Sequence, residues 1–214
     1  MLGVLNGIHE AFDHSALLDD HSLAMGSTWQ VIAEDMRYAK DTVLLKPDGS
    51  GDIVKRGPVI YRVQNKNTIV DLARKEMLSD IFGFGTIASF LAGSVGNDGS
   101  NPTDATRDRL VFELLGNAPN RMGITDTGLN PLDATDIISE VSGSNRWKII
   151  AQYVFDTTDG NNGQIFAEYG IHSSMSTPGS PTGLSGVMFA RFVPTSSFTK
   201  TSAFKVTVLW TLRA

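Results

Sequence analysis

The chain has 214 residues, no cysteine, and 18 Lys and Arg against 23 Asp and Glu, for a formal net charge of -5. Without cysteine there is no disulfide framework, thiolate zinc site or thiol nucleophile, and the mild acidity argues against a dedicated nucleic-acid binder, which carries a basic patch or stripe. At 41% apolar and 19% charged the composition supports a packed core, as one large domain or a domain with an arm, and no apolar run approaches the roughly 18 residues needed to cross a bilayer.

The opening Met1-Leu2-Gly3-Val4-Leu5 lacks a basic region and soon meets His9 and Glu10, so it does not read as a secretory signal. Residues 1–66 read as an N-terminal arm with a hairpin. Ser27 to Arg37 fits either a short helix, with Trp29, Ile32, Ala33 and Met36 at helical spacing, or a strand through Trp29-Gln30-Val31. Thr42 to Leu45 is a strand, and Lys46 to Asp52 a turn built on Pro47 and two glycines. Ile53-Val54 resumes the extended chain, Gly57-Pro58 breaks it, and Val59 to Val63 is a further strand. The arm carries Leu2, Val4, Leu5, Ile8, Phe12, Leu17, Leu18, Trp29, Val31 and Ile32. That apolar surface is expected to bury against another copy or another protein.

Residues 67–214 read as an antiparallel β-sandwich with one packed helix near 68–82. Thr68-Ile69-Val70-Asp71 has the hydroxyl-then-acid spacing of a helix start. Ile69, Leu72, Ala73, Met77 and Ile81 line one face, and Gly83 and Gly85 stop the helix. From Thr86 the texture turns to strands and polar turns: a strand over Thr86 to Ala92, then a long turn from Gly96 to Pro102. Arg109 to Leu115 and Asp136 to Val141 fit more than one element. Arg146 to Phe155 is a strand placing Trp147, Ile149, Ala151, Tyr153 and Phe155 on one face. Gln164 to Ile171 is expected as its hairpin partner across the eight-residue turn Asp156 to Gly163. After a Ser/Pro/Gly loop, Val187 to Val193 is a strand. Phe204, Val206, Val208, Trp210 and Leu212 then alternate with mostly polar residues, the period of a half-buried strand.

Candidate chemistry is sparse. His9, His14 and His21 with Asp13, Asp19 and Asp20 offer metal-ligand types, but at no zinc spacing. Asp156 to Gly163 resembles a calcium loop, yet the third, fifth and twelfth positions from Asp156 are Thr158, Gly160 and Ala167, so a turn is the better reading. Gly83-Phe84-Gly85 follows a helix instead of opening one, which a phosphate loop cannot do. The Ser residues near Gly93 and Gly186 have no nearby His in sequence, and His172, with no acid beyond Glu168, reads as a structural histidine. No acidic pair is singled out for glycoside hydrolysis. Aromatic residues mostly fall on apolar strand faces; Trp29 is the one singled out as a candidate for a saccharide platform, since it lies outside the main β region. No catalytic residue, cofactor site or metal site is assigned.

Two stretches together carry a resemblance. The first runs Asn67-Thr68-Ile69-Val70, then Thr86-Ile87-Ala88-Ser89-Phe90, an Asn97-Asp98-Gly99 turn and Thr103-Asp104-Ala105-Thr106. The second runs Val187-Met188-Phe189-Ala190-Arg191-Phe192-Val193, Phe198-Thr199-Lys200-Thr201-Ser202 and Val206-Thr207-Val208-Leu209-Trp210-Thr211, with Gln164 to Ile171 where a Glu-x-Gly strand is expected. Over roughly residues 67–214 the chain resembles a group of small β-sandwich virion proteins of tailed bacteriophages. The resemblance implies a non-enzymatic structural protein of the virion, at the collar or neck of the head–tail junction. Its partners would be copies of itself in a symmetric oligomer and neighbouring neck, tail or capsid proteins, with no specific nucleic acid and no membrane. A tail-fibre adaptor or a capsid decoration protein is the alternative within that class. A secreted carbohydrate-binding or glycan-degrading module is the alternative outside it. Exposed aromatics beside paired acids favour the second class, and apolar edges with an arm favour the first.

Overall fold

A computed structural model describes residues 26–45, 51–66, 68–69, 73, 75, 92–103, 106, 110, 121–128, 130–140, 146–160, 162–173 and 188–213. The strands in chain order are β1 Gly26–Asp35, β2 Lys40–Leu45, β3 Gly51–Arg56, β4 Val59–Lys66, β5 Thr68–Ile69, β6 Ala92–Gly96, β7 Arg121–Gly123, β8 Ile138–Ser139, β9 Trp147–Phe155, β10 Asn162–Phe166, β11 Glu168–His172, β12 Met188–Phe192, β13 Phe198–Thr201 and β14 Phe204–Arg213. Two five-stranded antiparallel sheets result. Sheet I has the order β4-β1-β14-β9-β8, and sheet II the order β5-β12-β11-β6-β7. Two ribbons, β10-β13 and β2-β3, stand apart from them. The architecture is the all-β sandwich that the alternating patterns predict.

The core is an aromatic layer contributed by both sheets. In sheet I, Trp29 pairs across the strands with Trp210, and Val31 with Val208. All four are buried. The Trp29 ring stacks on Phe192 of sheet II at 6.0 Å and meets Tyr153 edge-on at 6.2 Å. Phe189 meets Trp210 at 5.4 Å, and Phe155, Phe166 and Tyr169 continue the layer. Offset and edge-to-face rings add to the burial of their area. Gly93 makes this approach possible. A Cβ there would lie 2.1 Å from the Tyr153 ring, so only glycine lets Tyr153 reach across to β6.

Sheet I corrects the expected arm. The reading that residues 1–66 form an arm fails from Gly26 onward, because β1 is an inner strand of sheet I, paired along its length with β14 and over most of it with β4. The helical alternative for Ser27 to Arg37 fails with it. The helix spacing of Trp29, Ile32 and Ala33 is coincidental; the operative period is two, with Trp29, Val31 and Ala33 facing the core. Trp29, singled out as lying outside the β region, is at its centre. Residues 1–25 lie outside the described residues.

The expected hairpin of Arg146–Phe155 with Gln164–Ile171 is also corrected. β9 pairs with β14 and β8, whereas the Gln164–Ile171 stretch divides into β10, which pairs with β13, and β11, which enters sheet II. The turn after Phe155 carries the chain out of sheet I into ribbon β10-β13, from which β11 enters sheet II. Gly160 in that turn and Gly163 at the register shift in β10 take φ of +59° and +65°, the conformation for which glycine is suited. Trp147, expected on the core face of β9, is exposed at the strand's end. Near 68–82, Thr68–Ile69 is strand β5, and Ala73 and Lys75 are helical. The rest of the expected helix, its Gly83 and Gly85 stop and most of Arg109–Leu115 lie outside the described residues; of the expected Thr86–Ala92 strand only Ala92 is described, and it opens β6, which runs on to Gly96.

Candidate functional site

The outer face of sheet II holds the densest chemistry among the described residues. Strands with both faces buried normally read as continuous apolar runs. Here β6, β11 and β12 are buried throughout, yet their outward positions carry Ser94, Glu168, His172 and Arg191, each with no measurable exposure. Arg121 on β7 pairs with Ser94 across the ladder and is also buried. The face is therefore covered, and Leu110 is part of the cover: a Cβ at Gly170 would lie 3.0 Å from its Cδ2.

Two pairings organise this face. His172 Nε2 lies 2.6 Å from Ser94 Oγ. Sequence reading missed this pair, because 78 positions separate the two residues; only the β6–β11 register, with Gly170 opposite Ser94 and His172 opposite Ala92, brings them together. Glu168 does not serve His172. It pairs instead with Arg191, at 2.8 Å and with both side chains fully buried. Arg191 also donates to the carbonyls of Asn101, Ser100 and Asp98, at 2.7, 2.8 and 3.4 Å. One guanidinium thus closes an ion pair and holds the turn after β6, using the planar fork that suits arginine to such sites.

A serine hydroxyl beside an imidazole has the composition of a nucleophile and base, but the arrangement here runs the other way. His172 Nδ1 has no hydrogen-bond partner. A buried N–H without an acceptor costs more than a buried lone pair without a donor. The proton therefore belongs on Nε2, donating to Ser94 Oγ, and an imidazole in that tautomer cannot take the serine proton. Burial, reinforced by the positive charge of Arg121, holds the imidazole well below its usual range, so it stays neutral. The face works as a hydrogen-bonded floor under a cover.

The calcium-loop candidate has a comparable outcome. Lys200 on β13 is buried, and its Nζ donates to the carbonyls of Asp156 and Thr201 at 2.8 and 3.0 Å. The loop's inward carbonyl thus already faces a cation, the lysine ammonium. Burial lowers the Lys200 pKa to about 8, against the opposing pull of Asp159 and Asp156. Among the described residues no group of three His, Asp or Glu is placed to hold a metal ion. His9, His14, His21, Asp13, Asp19 and Asp20 lie outside the described residues.

The exposed chemistry is of a different kind. Ribbon β2-β3 pairs Val43 with Ile53, and both are exposed, at 55% and 73%. On its other face Thr42, Val54 and Arg56 are half-buried, and Arg56 reaches Glu34 on the outer face of sheet I at 2.6 Å. Glu34 also faces Lys205 at 3.3 Å, while Lys205 Nζ donates to the Lys55 carbonyl. Gly57 locks the ribbon's root: a Cβ there would lie 2.2 Å from the Asp35 carbonyl oxygen. Beyond that root β4 forms one edge of sheet I, and at the opposite edge β8 exposes Ile138, with Ile137 beside it.

No family model matches the chain, and neither a curated protein nor a solved structure matches it.

Proposed function

We propose that the chain is a structural subunit of a tailed-bacteriophage particle, a collar or neck component that assembles as a symmetric oligomer. The observation that carries the reading is the β2-β3 ribbon. An isolated two-stranded ribbon is marginal in water, and this one stands outside both sheets with the Val43–Ile53 pair facing solvent. Such a pair is the kind of apolar surface that a neighbouring subunit covers. Strands β4 and β8, the edges of sheet I among the described residues, offer further backbone for strand addition.

The residues of the phage-protein resemblance lend support through their roles. Glu168, Arg191 and Lys200, which stand out in its Glu-x-Gly, Ala-Arg and Thr-Lys-Thr stretches, are the buried groups that tie strands to turns. A pattern made of such residues marks a scaffold, and a scaffold subunit needs no reacting group. The glycan-module alternative requires exposed aromatics side by side. The exposed aromatics among the described residues are Tyr38 and Trp147. Tyr38 follows β1 near the Phe204 end of β14, and Trp147 lies beyond the Lys148–Arg213 pair at the other end. At about 3.3 Å per residue, roughly 30 Å of strand separates those ends, too far for one sugar platform.

The test is a reconstruction of intact particles from a phage encoding the chain. Density for its two sheets in a ring at the head–tail junction is the expected result. Particles complete without the chain, together with a purified protein that stays monomeric at high concentration, would overturn the reading.

A further inference from the structure

We infer that two copies of the chain join edge to edge through β4, antiparallel about a two-fold axis at Val63, so that sheet I runs on from one copy into the next. The contact rests on the assembly reading only in that copies of the chain associate, and it is separate from the Val43–Ile53 face. Every residue of β4 except Tyr61 and Val63 is exposed, and among the described residues the strand pairs with β1 alone. An edge of this length is a template for another strand. The irregularity that would spoil it, the register shift at Ala33 and Glu34, is confined to the Val59 end. From Tyr61 to Lys66 the ladder runs without a break.

Two backbone bonds show which groups face that edge. The Asp35 N–H of β1 reaches the Pro58 carbonyl at 3.0 Å, so the odd-numbered residues of β1 turn their backbone groups toward β4. At the far end of β4 the Lys66 N–H goes to Asn65 Oδ1 at 2.8 Å, in keeping with that alternation. Trp29–Asn65, Val31–Val63 and Ala33–Tyr61 are then the hydrogen-bonded pairs of the ladder. The N–H and C=O groups of Arg62 and Gln64 point the other way, in the sheet plane and past its edge.

Charge and composition select the register. A two-fold antiparallel pair is the same patch on both copies, and opposed residues share a face, so the pair centres on one residue. Centred on Arg62, it sets Arg62 against itself; centred on Gln64, it sets Arg62 against Lys66. Like charges directly opposed are destabilising. Centred on Tyr61, it meets Pro58, which has no N–H to give. Centred on Val63, it spans Ile60 to Lys66, with Arg62 against Gln64 of the second copy and Tyr61 against Asn65. The Lys66 stem then lies along Ile60, which is 47% exposed in the single chain. Arg62 and Gln64 of each copy exchange both backbone bonds with Gln64 and Arg62 of the other. The β8 edge does not compete. It contributes only Ile138 and Ser139, and repeating sheet I head to tail would set it parallel to β4, the weaker pairing.

The chain has no cysteine, so single thiols in the full-length protein report the register. Val63→Cys opposes two thiols across a non-hydrogen-bonded pair, with Cα atoms about 4.5 Å apart, inside disulfide range. Asn65→Cys is the control: position 65 is the more exposed, so random collision favours it, yet in this register it faces Tyr61 of the second copy. Under mild oxidation Val63→Cys should form a disulfide-linked dimer about five-fold faster than Asn65→Cys, or more. Sedimentation velocity at low salt reads the same contact through exposed side chains. Gln64→Glu should tighten association about five-fold, Gln64→Lys should weaken it by as much, and Arg62→Glu with Gln64→Lys should restore it. Faster linking through Asn65→Cys, or Gln64→Glu and Gln64→Lys acting in the same direction, overturns the contact. Copies that associate while Val63→Cys stays unlinked overturn it too and leave the assembly reading standing. A chain that is monomeric at every concentration removes both.

Discussion

The outer face of sheet II and the β2-β3 ribbon invert each other. The first buries Ser94, Glu168, His172 and Arg191 completely; the second leaves Val43 and Ile53 in solvent. Both depart from the ordinary rule, in which apolar groups go inside and charges stay out. Departures of this kind are the informative ones, because each requires a compensating partner. For sheet II the partners lie within the chain: Arg191 meets Glu168 and the carbonyls of Asn101, Ser100 and Asp98. For the ribbon the described residues supply no partner on the Val43–Ile53 side. A polar residue placed inside with its bonds satisfied marks structure, whereas an apolar pair placed outside marks contact.

The strongest way to break this comparison is to remove one member of the buried pair. Arg191→Ala removes one member of a buried ion pair and the donor to three turn carbonyls, and breaking a buried pair from one side costs about 3–5 kcal/mol. Urea unfolding should show that loss. Glu168→Met together with Arg191→Met should recover part of it, since the two charges then leave together. If Arg191→Ala costs less than about 1 kcal/mol, water reaches the site and the face is not sealed. Gly93→Ala probes the other side of the same sheet. It drives a methyl into the Tyr153 ring, and overpacking of this kind costs about 1–3 kcal/mol. In a double-mutant cycle Tyr153→Leu should absorb part of that cost; strict additivity would mean that the ring is not the obstacle.

The alternating pattern of residues 204–213 gave strand β14 with its core face, because a half-buried strand writes its period into the sequence. The same rule failed for β1. Ile32 and Ala33 are both apolar and both buried, since Ile32 faces a part of sheet I's outer surface that is also covered. A strand buried on both sides loses the period that identifies it. The covered face of sheet II was illegible for a related reason. Ser94 and His172 have ordinary neighbours, and their pairing depends on which strands lie side by side, information held in long-range register and not in local spacing. The closest available signal was the run of Glu168, Gly170 and His172 at period two, polar or small residues on one face of a strand whose other face, Tyr169 and Ile171, is apolar. The Asp156–Gly163 turn was readable because Gly and Asp at fixed offsets dictate it locally.

A smaller effect sharpens the sealed character of the face. The folded His172 imidazole is held below its usual range, while the unfolded one titrates near 6.5. Below that pH the unfolded chain binds a proton that the folded chain refuses. The His172 contribution to stability is therefore present above the unfolded pKa and is lost as pH falls beneath it, with a limiting slope of about 1.4 kcal/mol per pH unit. Comparing unfolding free energies at pH 7 and pH 5.5 in wild type and His172→Gln isolates this component. The variant should show the weaker dependence; equal slopes in the two would mean that the imidazole takes up its proton in the folded state.

The smallest expected change in stability belongs to the ribbon, where the functional consequence should be the largest. Val43 and Ile53 touch mainly each other and solvent, so Val43→Asp and Ile53→Asp remove little that holds the fold. Each alone should move the unfolding free energy by no more than about 0.5 kcal/mol, the range of surface substitutions. Made together, they place two like charges opposite each other across the ribbon, a further modest penalty confined to β2 and β3. If a neighbouring subunit covers this pair, the double variant buries two carboxylates in an apolar contact, and association should weaken by at least ten-fold. Light scattering across a concentration series, beside urea unfolding of the same samples, separates the two readouts. A large stability loss would place the ribbon face inside the fold. Unchanged stability with unchanged assembly would remove the ribbon from the subunit contact and shift attention to the β8 edge, where Ile137 and Ile138 are also exposed.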